Sequence, residues 1–165
     1  MTREELVNLF IENASKVSAE TVRVTTDAEL NGALTAILAD TKSVFCQQDT
    51  AKEKSVVIPP DKRIDDYTGA SVCIEEVAGA IAETGSLVCS SQGGKPIQAG
   101  LLPGHHVAIV SAENIYEKLD EYFGALGDSP PTNITLETGP SRTADIELTL
   151  TIGVHGPGRL TVIVY

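Results

Sequence analysis

LPGHHVAIV, residues 102–110, turns out of a Pro-Gly pair into an unbroken apolar run, and SAENIYEKLDEYFGALG, residues 111–127, follows at helical spacing. The first reads as a buried strand and the second as a helix, with Ile115, Leu119, Tyr122 and Phe123 inward and Gly127 as the stop. A strand buried on both faces, handed directly to a helix, is the unit of a parallel sheet.

The same alternation recurs on either side. Residues 3–16 place Leu6, Val7, Phe10, Ile11 and Ala14 on one helical face. AETVRVTT (19–26) reads as a short strand. TDAELNGALTAILAD (26–40) reads as a helix capped by Thr26 or Asp27, with Leu30, Leu34, Ile37 and Leu38 on one side. SVFCQ (43–47), SLVCSS (86–91), NITLE (133–137) and RLTVIVY (159–165) read as strands. VVIPPD (56–61) reads as a short strand stopped by Pro59 and Pro60, and DKRIDDYTGASV (61–72) as loop. CIEEVAGAIAETGS (73–86) reads as an Ala-rich helix ending near Gly85. SSQGGKPIQAGLLPG (90–104) is a loop, long for a structureless connection, which hints at function. These elements predict an α/β fold, a mostly parallel sheet with helices on both faces, in one domain over residues 1–165.

The palette agrees. Hydrophobic residues make up 42% of the chain, aromatics 4%, and Trp is absent, so Val, Ile, Leu and Ala must build the core. Twelve basic residues face 23 acidic ones, a formal charge of −11, which opposes binding to nucleic-acid phosphates. The cationic stretches 51–55 and 61–63 are interleaved with acids. The three cysteines, Cys46, Cys73 and Cys89, form no C-x-x-C pair and sit in strand-like settings. They read as buried reduced thiols, too few for an iron–sulfur cluster held by this chain alone. No apolar run reaches the length of a membrane span, and the acidic N-terminus lacks the layout of a signal peptide. A cytoplasmic protein is expected.

Chemistry concentrates in three places. In AETGS (82–86), Glu83 near a helix C-terminus has no structural reason to be acidic. In HHVAIV, adjacent His105 and His106 point to opposite faces of a strand. In GPSRTADIELTLTIGVHGP (139–157), the Gly139-Pro140 turn leads into Ser141, Arg142 and Thr143. If a helix starts there, its free N–H groups, those hydroxyls and the guanidinium make an anion site. Residues 144–152 alternate as a strand would, yet their flanks carry helix caps; a short helix is the expectation. Asp145 and Glu147 share a face only in a strand. With His155 they offer metal-type donors at unspecific spacing, and no metal is expected to be needed for folding.

In that order and spacing, AETGS, LPGHHVAIV and GPSRTADIELTLTIGVHGP, followed by an apolar terminal strand, resemble the LUD-domain family over residues 70–165, and within it the lactate utilization protein C group (LutC, or YkgG). Ser86 stands where many relatives have Thr. The resemblance implies a Rossmann-like fold similar to the NagB/RpiA/CoA-transferase superfamily. It implies an accessory subunit of an iron–sulfur complex that oxidises L-lactate to pyruvate, with the clusters in partner subunits and no cofactor bound by this chain. The site expected from motifs and resemblance comprises Thr84, Gly85, Ser86, His106, Gly139, Ser141, Arg142, Thr143, Asp145, Glu147 and His155, gathered at one end of the sheet and holding a small anion or nucleotide-like ligand. The alternatives are a stand-alone isomerase or CoA-transferase-like enzyme with Glu83 as nucleophile or base, and a regulatory ligand-binding module.

Overall fold

The structure is a computed structural model that describes residues 1–47, 50, 55–143, 151–152 and 155–165. Its centre is a five-stranded, all-parallel sheet ordered β1-β11-β6-β3-β2: β1 (Glu20–Arg23), β11 (Arg159–Val164), β6 (His105–Val110), β3 (Val72–Glu76) and β2 (Val44–Cys46). Beside it lies a four-stranded sheet ordered β7-β4-β5-β8: β7 (Ile115–Tyr116), β4 (Gly79–Ile81), β5 (Ser86–Ser90) and β8 (Ile134–Glu137). In this second sheet β4–β5 and β5–β8 are antiparallel.

The pleat of β6 sorts the core. Val107 and Ile109 join Leu30, Leu34 and Leu38 of α2 (Asp27–Ile37 and its C-cap) on one face. Ala108 and Val110 join Val7, Phe10 and Ala14 of α1 (Arg3–Lys16), together with Ala80, Leu87 and Cys89 of the second sheet, on the other. Helices therefore flank the parallel sheet as expected, with the smaller sheet sharing the α1 face. Both helices begin at side-chain caps. Thr2 and Glu5 close a capping box on α1, and Thr26 Oγ1 accepts from Glu29 N–H on α2.

Four expectations are corrected. Residues 73–85 are not a helix but β3, β4 and the turn before β5. Their apolar residues are buried on both faces of a sheet, which leaves no period for a pattern argument to find. The expected helix 111–127 begins only at Leu119: Ile115 and Tyr116 pair with β4, α4 spans Leu119–Ala125, and Phe123 is half exposed. Val56 and Ile58 are buried against α2 but pair with no strand. Finally, Arg142–Thr143 (β9) pairs antiparallel with Thr151–Ile152 (β10), so no helix starts at Ser141. The alternation of the segment, rather than its flanking caps, identified these ends. Residues 144–150, with Asp145 and Glu147, lie outside the described residues. The loop 90–104 carries a short helix, α3 (Gln98–Leu101).

Candidate functional site

The GPSR turn and the HGP turn meet. Ser141 N–H donates to Pro157 O at 2.8 Å, and Leu101, Leu136, Glu137, Thr138, Gly139, Pro140, Ser141, Arg142, His155, Gly156 and Pro157 line an open cleft of ≈ 400 Å³. Gly139, Ser141, Arg142 and His155 are thus brought together as expected. The cleft sits at the amino ends of β6 and β11, the reverse of the carboxyl-end position usual for parallel sheets. The reason is local: β8 delivers Glu137 and Gly139 from the second sheet to the place where β6 and β11 begin.

Beneath the cleft lies a charged cluster that sequence reasoning half missed. His106, Glu75 and Glu137 come from β6, β3 and β8. His106 is fully buried, and both glutamates are nearly so. Nδ1 of His106 lies 2.6 Å from Glu137 Oε2. Nε2 lies 3.0 Å from Glu75 Oε1, close enough for charge contact but without hydrogen-bond alignment, so these two atoms and Glu137 Oε1 remain without hydrogen-bond partners. Burial alone would push the imidazole pKa down, yet the two adjoining carboxylates prevail and raise it to about 10. His106 is therefore an imidazolium that donates from Nδ1 to Glu137. Its neighbour His105 faces the other side, 2.8 Å from Thr161 Oγ1, where burial and Arg159 lower its pKa to about 4. The two faces were foreseen; that both rings are buried was not. Gly100 of α3 closes over the cluster: a Cβ there would meet Glu75 Oε1 and come within 2.9 Å of His106 Nε2.

AETGS joins the cleft indirectly. Its hydroxyls form a chain, Thr84 Oγ1 to Ser86 Oγ at 2.7 Å and Ser86 Oγ to Thr138 Oγ1 at 2.7 Å, and Thr138 lines the cleft. Gly85, at φ +67°, and Gly139, at φ +74°, both press against the end of α1, where a Cβ would meet the backbone of Asn13 and Ala14 or of Val17. Glu83 is exposed in the β4–β5 turn and does not line this cleft; its N–H donates to Glu117 O at 3.0 Å and its carbonyl accepts from Asn13 Nδ2 at 3.3 Å. Its supposed place at a helix C-terminus disappears with the helix.

Arg142 is also re-read. Its guanidinium donates to Val17 O, at 3.4 Å, and to Ser18 Oγ. It stands at the C-terminus of α1, where a cation is favoured, and not at a helix N-terminus. Thr143 contributes backbone to β9. The cysteines lie on β2, β3 and β5, and burial raises the thiol pKa values of Cys73 and Cys89, which disfavours thiolate ligation. Among the described residues no three His, Cys, Asp or Glu side chains group as a metal site, and no helix is long and apolar enough to cross a membrane.

Glu75, Glu137 and Gly100 were absent from the expected site. The available signal was an acidic residue inside each of two apolar strands, VCIEE and NITLE, since an unpaired carboxylate is costly there.

Comparison with known proteins places this arrangement. Residues 61–165 match the LUD domain. The chain is similar to lactate utilization protein C of Halalkalibacterium halodurans, 26% identical over 98% of this chain and 79% of that protein. It is 38% identical to lactate utilization protein C of Macrococcus caseolyticus over 51% of this chain, and 35% identical to that of a Geobacillus species over 62% of this chain. These last two matches span 39% and 45% of the relatives' lengths. The crystal structure of a DUF162 family protein from Deinococcus radiodurans shares the fold, with a TM-score of 0.77 at 23% identity over 99% of this chain and 98% of the other.

Proposed function

Because the chain belongs to the LUD-domain family, we propose that it serves lactate utilization as an accessory component, residues 1–165 forming one LUD domain that binds a small anion in the Gly139–Arg142/His155–Pro157 cleft. The observation that carries this reading is the convergence of the GPSR and HGP turns on one opening above the His106–Glu137 pair. The relatives' names supply the process. Gly139 and Gly156 leave the walls without side chains, Ser141 offers a hydroxyl, and Arg142 and His155 offer the means to hold negative charge at the rim. The buried carboxylates beneath would reject a second anionic group deeper in the cleft, which favours a ligand with one charged end.

In this reading the iron–sulfur clusters of lactate oxidation belong to partner subunits in the cytoplasm. The three thiols of this chain are spread over separate strands and protected by burial. A role for Glu83 as nucleophile gains no support from its exposed turn outside the cleft.

The test is reconstitution. The host's iron–sulfur lactate-oxidation proteins are purified with and without this chain, and lactate-dependent reduction of a dye acceptor is followed. The rate is expected to fall when the chain is omitted and to stay low when it is replaced by an Arg142→Ala, His155→Ala double variant. Equal rates with and without the chain would overturn the proposal.

A further inference from the structure

A second cleft lies along the edge strand β2 and shares no lining residue with the first. It measures ≈ 330 Å³ and is lined by Phe45, Cys46, Gln47, Arg63, Ile64, Asp65, Tyr67 and Pro96. No motif pointed to it. Three observations give it a chemistry.

The first is Gln47. Its side chain is buried, with the residue only 7% exposed, and Nε2 has no hydrogen-bond partner. A buried amide donor left unmade is unfavourable unless something enters to accept from it. The second is the wall. Phe45 and Tyr67 stand edge to face with ring centroids 5.7 Å apart, and Ile64 and Pro96 continue the apolar surface. Aromatic edges and faces beside a single amide suit a flat, partly polar ring better than an aliphatic chain. The third is the rim. Arg63 and Asp65 are exposed, and neither makes an ion pair among the described residues.

We propose that this cleft binds a planar nitrogen heterocycle carrying an anionic group, the chemistry of a nucleoside monophosphate. Gln47 Nε2 donates to a ring nitrogen or carbonyl, the Phe45–Tyr67 wall covers the ring, and Arg63 holds the phosphate. Asp65 accepts from an exocyclic amine or a sugar hydroxyl. With Asp65 nearby and a strongly acidic chain around it, phosphate alone is a poor ligand, so the ring must contribute most of the recognition.

The test is a titration of the full chain with AMP, GMP and UMP, with adenosine and inorganic phosphate as part-ligands, followed by calorimetry and by chemical-shift changes. At least one monophosphate is expected to bind saturably and to shift the signals of residues around Gln47, and phosphate alone is expected not to shift those signals. Gln47→Leu should weaken binding at least tenfold while leaving the melting temperature equal or higher, because it removes a buried unpartnered donor. Arg63→Ala should weaken the monophosphate but not the nucleoside. Asp128→Ala, exposed and outside both clefts, should change neither. Absence of saturable binding by all three monophosphates at millimolar concentration, or binding that Gln47→Leu and Arg63→Ala leave intact, would overturn the proposal.

Discussion

Glu137 closes β8 in one sheet and His106 opens β6 in another, and the two meet through a 2.6 Å contact between Oε2 and Nδ1. With Glu75 on β3, this pair places an imidazolium between two carboxylates in the interior. The cluster fixes how the sheets sit against each other at the floor of the motif cleft. A buried charge that has lost its partner is strongly destabilising, whereas the intact pair adds little over an apolar substitute.

Replacing the cation is therefore expected to be severe. His106→Gln leaves Glu75 and Glu137 facing each other without positive charge. A loss of about 3–5 kcal/mol at neutral pH is expected in urea unfolding. A loss below about 1 kcal/mol would mean that the cluster is hydrated or neutral.

The two adjacent histidines predict a stability maximum. His106 has its folded pKa raised from 6.5 to about 10, so it binds more protons folded than unfolded between those values. Its contribution is fully present below pH 6.5 and is lost as pH rises through about 10. His105 is the reverse case: its folded pKa is lowered to about 4, the unfolded chain binds more protons between 4 and 6.5, and stability falls as pH drops through that window. Unfolding free energy should thus peak near pH 6.5. His105→Asn should flatten the acid limb above pH 4, and His106→Gln the alkaline limb. Profiles unchanged by either variant would refute this assignment.

Gly100 tests the packing above the cluster. In an ordinary helix Gly→Ala gains about 0.8–1.0 kcal/mol. Here the added Cβ runs into Glu75 Oε1 and His106 Nε2, both held by their charges. Gly100→Ala should therefore destabilise by about 1–3 kcal/mol, as for overpacking. A stabilised variant would show that α3 moves away freely.

Much of the fold was legible because its elements kept their periods. α1 and α2 show one apolar face and a cap each, and the strand from His105 to Val110 is too apolar and too short to be anything else. The stretch from Cys73 to Gly85 was misread because Ala80, Ile81 and Ala82 are buried from both sides, and because Glu75 and Glu76 favour helix locally. That error concealed the site's floor: Glu75 fell within the expected helix when it is a buried strand carboxylate. It also misdirected attention to Glu83, whose oddity depended on a helix that is not there. The convergence of Gly139, Ser141, Arg142 and His155 on one cleft was legible because Gly-Pro turns force the chain to fold back, so polar residues beside two such turns can meet. Gln47 offered no sequence signal, since its meaning lies in a missing partner.

The last prediction separates the two residues that hold the end of α1 to the cleft. Val17 is the C-cap of α1. Its carbonyl accepts from Arg142, and Gly139 lies against the same carbonyl. Arg142 is exposed, and its cation at a helix C-terminus is worth about 0.3–1 kcal/mol. Arg142→Ala should cost no more than that, should cost less still in high salt, and should be largely rescued by Arg142→Lys in stability. Lysine presents one point charge in place of a fork, so it should not rescue anion binding in the cleft. Gly139→Ala differs in kind. It places a Cβ on the Val17 backbone at φ +74°, where strain alone is of order 1–3 kcal/mol and the obstructing atoms are main chain. Its cost should exceed that of Arg142→Ala and should not respond to salt. Chemical denaturation of the three variants at low and high ionic strength decides the matter. Equal, salt-sensitive losses for Gly139→Ala and Arg142→Ala would mean that the turn is held by charge and not by backbone fit.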